Sequence, residues 1–303
     1  MFYGGSSIRE GEHCGGYGFS LAGQQCIRFG IKWFLKLRDS IIGGVGTVRA
    51  KGISGRVKRA GELALAGLNH LLWPAVCINC KRSICERDRS LCKECWGQLL
   101  ACTGADYCPN CGRDVSRYAL VDGACADCQG RKILFDGIAR SGYYSGSLQR
   151  MILTFKYYGR TELDSTLGFL VNAALQGSSF IDEIEFFVPV PLHWSRRLAR
   201  GYNQSMILAK RLKHPRAKIN TELVRVRRTK SQPLMATPAA RARNVAGAFA
   251  VRRGHKFAGR TVCLVDDIKT TGATLNECAK TLKEAGAAKV FAVVLAVAGQ
   301  DIS

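Results

Sequence analysis

Apolar residues in this chain fall into two alternating kinds of run. Three short stretches, 186–190, 262–265 and 290–295, are almost wholly apolar, as expected of strands buried on both faces. Over 148–158, 161–175, 204–212 and 274–285, apolar residues instead recur three and four apart. That is the period of helices with one face in a core. Strands alternating with such helices predict an α/β fold with a doubly wound parallel sheet.

The first part of the chain reads differently. Residues 1–67 are rich in glycine and show no long period, which predicts a basic, poorly ordered extension. Within it, 28–38 has the pattern of a short basic amphipathic helix: Arg28, Lys32 and Lys36 are four apart, with Phe29, Trp33 and Phe34 between them. The stretch 63–76 reads as a short helix leading to Pro74. The uncharged run 63–80 contains Asn69, His70 and Pro74 and ends in closely spaced cysteines, so it is a poor membrane span. The N-terminus lacks the basic-then-apolar order of a secretory signal. A cytoplasmic location, with reduced cysteines, is the default expectation.

Charge narrows the partners. Lys and Arg number 45 against 23 Asp and Glu, a formal net charge of +22. Most of the excess has one source, because residues 188–260 hold eighteen basic side chains against one acid, Glu222. Such a field favours polyanions: nucleic acid, phosphate-rich metabolites or an acidic membrane surface.

Eight of the fourteen cysteines form four pairs of one spacing: Cys77 and Cys80, Cys92 and Cys95, Cys108 and Cys111, Cys125 and Cys128. A two-residue spacer lets both sulfurs of a pair reach one ion, and two pairs complete a tetrahedral shell of four thiolates. Two structural Zn2+ sites are expected over residues 68–133, although iron–sulfur ligation suits the same sulfur set. Sequential pairing is the simplest arrangement, and a cross-braced one has compatible spacing. Four thiolates leave no position open for a catalytic water, so this metal is read as structural.

The most informative stretch is Asp266-Asp267-Ile268-Lys269-Thr270-Thr271-Gly272-Ala273-Thr274. It reads as a buried strand ending in two carboxylates, a turn rich in hydroxyls, and a helix with Leu275, Cys278, Ala279, Leu282 and Ala285 on one face. Ligands of open α/β sheets bind beyond the carboxyl ends of the strands. A helix N-terminus with threonine hydroxyls suits a phosphate, and paired carboxylates can accept bonds from a vicinal diol. Together they describe a ribose 5-phosphate site. Upstream, Arg196, Arg197 and Arg200 follow the strand at 186–190, and the stretch 225–233 reads as an exposed basic loop. His193 is the one histidine near this site and is expected to be a turn residue rather than a general base.

The acidic pair and its turn resemble the phosphoribosyl-diphosphate (PRPP) signature of type I phosphoribosyltransferases. The resemblance implies that Asp266 and Asp267 take the ribose, that Thr270, Thr271, Gly272, Ala273 and Thr274 take the 5′-phosphate, and that Mg2+ accompanies PRPP. Arg197 and Arg200 would face the diphosphate or a nucleic acid. Cysteine pairs ahead of such a domain resemble the ComF family of competence proteins. So do Tyr143-Tyr144-Ser145-Gly146-Ser147-Leu148, Phe155-Lys156-Tyr157, Arg200-Gly201-Tyr202-Asn203-Gln204-Ser205, and Gln232 with Arg241, Asn244 and Phe249. The implied organisation is an extension over 1–67, a double zinc module over 68–133 and a phosphoribosyltransferase-like domain over 134–303. Three roles fit that resemblance: an enzyme acting on PRPP, a protein handling single-stranded DNA during uptake, or a scaffold docking a competence helicase or recombination protein.

Overall fold

The computed structural model describes residues 76–84, 91–104, 106–121, 123–157, 163–229 and 237–299. The expectations for 1–67 and for most of the helix at 63–76 lie outside the described residues.

Five parallel strands form the central sheet: β3 (Gly137–Tyr143), β4 (Phe186–Pro189), β5 (Lys218–Ile219), β8 (Thr261–Lys269) and β9 (Lys289–Val297), in the spatial order β3-β9-β8-β4-β5. Two smaller hairpins stand apart from it, β1 (Leu120–Val121) with β2 (Ala124–Cys125), and β6 (Leu223–Arg225) with β7 (Phe249–Val251). Alternation along β8 and β9 decides which core each side chain joins. Cys263, Val265, Val293 and Leu295 pack with helices α3 (Gly146–Tyr157), α4 (Asp164–Gln176) and α6 (Gln204–Ala209). Val262, Leu264, Ala292 and Val294 face the other way, onto helix α8 (Ala273–Glu284) and Phe249 of the β6–β7 hairpin. Helices therefore cover both faces, as the doubly wound reading requires. In α8 the buried residues are Leu275, Cys278, Ala279 and Leu282, the three-and-four spacing seen in the sequence.

The cysteine-rich segment closes one edge of this sheet. The Ile138 N–H donates to the Pro109 carbonyl (2.8 Å), the Tyr143 N–H donates to the Cys102 carbonyl (2.9 Å), and Thr103 bridges Gly142 in antiparallel fashion. Its two halves repeat one turn geometry. The Lys81 N–H donates to the Cys77 carbonyl (2.8 Å) and the Gly112 N–H to the Cys108 carbonyl (2.7 Å). Both residues after the second cysteine have positive φ, 65° at Lys81 and 75° at Gly112. At Gly112 a side chain is also barred by packing, since a Cβ there would lie 3.0 Å from Val297 Cγ2. Gly112→Ala should therefore lower stability by about 1–2 kcal/mol, measured by urea unfolding of the zinc-loaded protein. An unchanged midpoint would mean that this turn is not held against β9.

Two local readings are corrected, and one strand is added that no apolar run announces. β8 does not stop at Val265 but runs to Lys269, because its pairing with β9 continues to Lys269 opposite Val297; the two carboxylates thus lie in the strand rather than after it. β3 carries Gly137, Arg140, Ser141 and Gly142, so it lacks the apolar run that marks a buried strand. The stretch 225–233 is not simply an exposed loop: Arg225 belongs to β6 and Thr229 is buried. Residues 230–236 lie outside the described residues.

Candidate ribose-phosphate site and metal centres

The two neighbouring carboxylates of β8 are held by two helices that cover the same face of the sheet. Asp267 is buried and pairs with Lys156 at the end of α3, the ammonium lying 2.9 Å from each carboxylate oxygen. Asp266 Oδ1 accepts from Ser205 Oγ (3.0 Å) on α6 and from the Asp267 N–H (2.9 Å). Burial, and secondly the neighbouring Asp267 charge, push the Asp266 carboxyl up to about 7. The Asp267 carboxylate raises the Lys156 ammonium above its ordinary value against the pull of burial. One ammonium thus acts on two carboxylates, and Asp266 is poised to change charge near neutral pH.

The stretch from Gly201 to Ser205 builds this arrangement residue by residue. Gly201 ends helix α5 (Trp194–Arg200) with φ 81°, in the left-handed region. The Tyr202 hydroxyl donates to the Phe155 carbonyl and Gln204 Nε2 to the Lys156 carbonyl (3.4 Å), fixing the end of α3. Asn203 Nδ2 donates to the Val190 carbonyl (3.1 Å), while its Oδ1 caps α6 by accepting from the Ser205 N–H (3.1 Å). Lys156, Ser205 and Asp266 converge only in three dimensions.

After β8 the chain turns through Thr270, Thr271 and Gly272, whose φ is 82°. Gly272 occupies the N-cap position of α8 without a side-chain cap; a long contact from the Ala273 N–H to Thr271 Oγ1 (3.4 Å) is the nearest substitute. The start of α8 thus lacks a side-chain cap and carries the partial positive charge of a helix N-terminus, next in sequence to the hydroxyl-bearing Thr270 and Thr271.

The expected arginines divide. The Arg200 guanidinium lies 5.1 Å from the ring of Tyr157, the residue after Lys156. Arg197 is exposed on α5, and among the described residues no hydrogen bond or ion pair joins it to either carboxylate. Two other arginines of the basic segment, Arg196 and Arg225, take definite places. Arg196 donates to the Thr229 carbonyl (2.8 Å), and Arg225 lies 5.2 Å from the Phe249 ring, close enough to Asp266 to feel its charge. His193 is the N-cap of α5, its Nδ1 accepting from the Ser195 N–H (3.3 Å), in line with a turn role.

The eight paired cysteines gather into two tetrads, Cys77, Cys80, Cys92 and Cys95, and Cys108, Cys111, Cys125 and Cys128, with the sulfurs of each within 4.8 Å of one another. Pairing is therefore sequential rather than cross-braced. Sulfur–sulfur distances are 3.7 Å for Cys80–Cys92, 3.5 Å for Cys108–Cys128 and 3.6 Å for Cys111–Cys125. A tetrahedron with Zn–S bonds of about 2.3 Å has edges of about 3.8 Å, so both sets fit zinc. Burial raises the Cys77 and Cys108 thiols, but N–H donors of their own and facing turns outweigh it and bring them to about 6 and about 7, towards the thiolate a metal needs. The first tetrad is tied to α3 through Asn79, whose Nδ2 donates to Cys95 Sγ (3.2 Å) and to Ser147 Oγ (3.3 Å).

Comparison with known proteins agrees with this division. Residues 68–129 match the double zinc ribbon domain family, and residues 198–302 match the phosphoribosyl transferase domain family. Competence protein F of Haemophilus influenzae is 30% identical over 220 residues, covering 71% of this chain and 93% of that protein. Competence protein ComFC of Bacillus subtilis is 29% identical, over 66% of this chain and 81% of its own length. DNA utilization protein YhgH of Escherichia coli O6:H1 is 29% identical, over 73% of this chain and 96% of its own.

Proposed function

The chain belongs to the ComF family of competence proteins, and from that premise we propose that it binds Mg2+-PRPP at the end of β8 and acts in the handling of incoming DNA. The observation that carries this reading is the acidic pair, held by Lys156 and Ser205, immediately ahead of the uncapped start of α8. Asp266 and Asp267 accept the ribose hydroxyls. The N–H groups of Gly272, Ala273 and Thr274, with the hydroxyls of Thr270, Thr271 and Thr274, take the 5′-phosphate. Arg200, and Arg197 beyond it, face the diphosphate, where guanidinium forks match phosphate oxygens. Mg2+ bound with PRPP would supply charge neutralisation for the diphosphate beside Asp266 and Asp267. The site's own ammonium, Lys156, is already matched by Asp267, so the divalent ion is needed to bring a polyanion beside two carboxylates.

A second reading, single-stranded DNA binding, is favoured by α5. Trp194 and Leu198 are 66% and 75% exposed on the helix that carries Arg196, Arg197 and Arg200, a combination of ring and cation that suits stacked bases. Calorimetry of the zinc-loaded protein with PRPP, with and without Mg2+, tests the first reading. Magnesium-dependent binding is the expected result. Absence of binding by folded protein would overturn it and leave salt-dependent binding of single-stranded DNA as the function to measure.

A further inference from the structure

Lys269 sits between the two kinds of site. It is the last residue of β8 and is 7% exposed. On one side it underlies the hydroxyl-rich turn: a Cβ on Gly272 would come within 3.2 Å of Lys269 Cε and 3.8 Å of its Nζ. On the other side is the second cysteine module. Lys269 is in register with Val297, and the Val297 side chain packs on Gly112, between Cys111 and Arg113. Among the described residues no carboxylate pairs with this ammonium, whose stem is buried.

The charges that act on it come from the metal module. Burial is the largest influence and lowers the ammonium. The Cys111 and Cys128 thiolates favour it, and Arg113 and Arg131 oppose it. Those two arginines are both offset by Asp127, which Arg113 pairs directly and Arg131 approaches at 3.7 Å. Four thiolates around one divalent ion carry a formal charge of about −2. The loaded second tetrad is therefore a net anion that favours this ammonium.

We propose that Lys269 is a positioning strut joining the second metal site to the hydroxyl-rich turn, so that metal in the one and a phosphate ligand on the other favour each other. The second half of this inference rests on reading the turn as the PRPP phosphate site. Linkage requires the coupling to be reciprocal: ligand on the turn must slow the loss of metal from the second tetrad.

The test is timed cysteine alkylation of the full, zinc-loaded chain under a chelator, with peptides resolved by mass spectrometry. In Lys269→Met and Lys269→Gln the second tetrad should label about tenfold faster than in the wild type, the size typical of losing a partner just outside a metal shell. The first tetrad, as internal control, should keep its wild-type rate. PRPP with Mg2+ should slow labelling of the second tetrad in the wild type and in neither variant. Wild-type labelling in both variants, or equal acceleration of both tetrads, overturns the strut. If calorimetry shows PRPP bound but wild-type labelling does not slow, the coupling is wrong. If calorimetry shows no PRPP binding, it is the phosphate reading that fails, and the ligand-free rates decide the strut by themselves.

Discussion

Asp266→Asn should yield a protein that is more stable than the wild type and loses most of its affinity for PRPP. Both effects come from one carboxylate. Its acid is lifted to about 7, well above the value of about 4 expected in an unfolded chain. Its ionised form is therefore disfavoured by folding. The sign follows: the penalty is absent below about pH 4, grows as pH rises towards 7, and stays constant above. The amide keeps the shape and can still accept from Ser205 and from the Asp267 N–H, but it has no charge to bury. Melting curves of the two proteins should coincide near pH 4 and separate in the variant's favour by pH 8. Affinity for Mg2+-PRPP should fall roughly tenfold to a hundredfold, since a hydrogen bond to a charged group contributes about 1.5–3 kcal/mol. Equal melting temperatures at pH 8 would show that Asp266 is not held in a charge-excluding environment. Unchanged affinity would remove it from the ribose site.

The larger structural effect is expected at the metal centres. Cys108→Ser or Cys125→Ser should release one of two zinc ions per chain and lower the melting temperature by about 10 °C or more, because metal binding of this kind contributes folding free energy of about 10–16 kcal/mol in small zinc modules. Both cysteines are buried, in the module whose Pro109 and Gly112 meet Ile138 and Val297 of the sheet. Cys80→Ser, at the exposed corner of the first tetrad, should be milder. Zinc stoichiometry by elemental analysis, alongside thermal melts, reads both. Two zinc ions retained in Cys125→Ser would exclude the tetrad as a closed four-thiolate site.

Local chemistry was the legible part. Four cysteine pairs of one internal spacing define two ion shells, and Asp266 to Thr274 defines a strand, a turn and a helix start, because every residue concerned is near its neighbours in the chain. Residues that act across long separations were not assigned a role in this way. Lys156 gains its place only from Asp267, 111 residues later. Arg140 looks unsuited to a strand interior, yet it is buried because Asp114 pairs with it and the Tyr107 ring lies 4.9 Å from its guanidinium. The extension of β8 to Lys269 likewise depends on how far β9 continues beside it. Lys269 stands in the signature without an assigned role, since no local pattern says that its strand partner Val297 will pack on a distant module.

The position of β3 carries a consequence for the order of assembly. Its sheet partner is β9, with Gly137 opposite Phe291, so about 150 residues remain to be synthesised when β3 emerges. The carbonyls of Cys102 and Pro109, which accept from Tyr143 and Ile138, are already made by then. A metal-loaded ribbon can thus hold β3 as a placeholder partner throughout translation, until the last strand arrives to complete the sheet. The amino-terminal metal module would then act during synthesis as a built-in template, and the supply of zinc to the nascent chain would set how much of the newly made protein reaches the finished sheet.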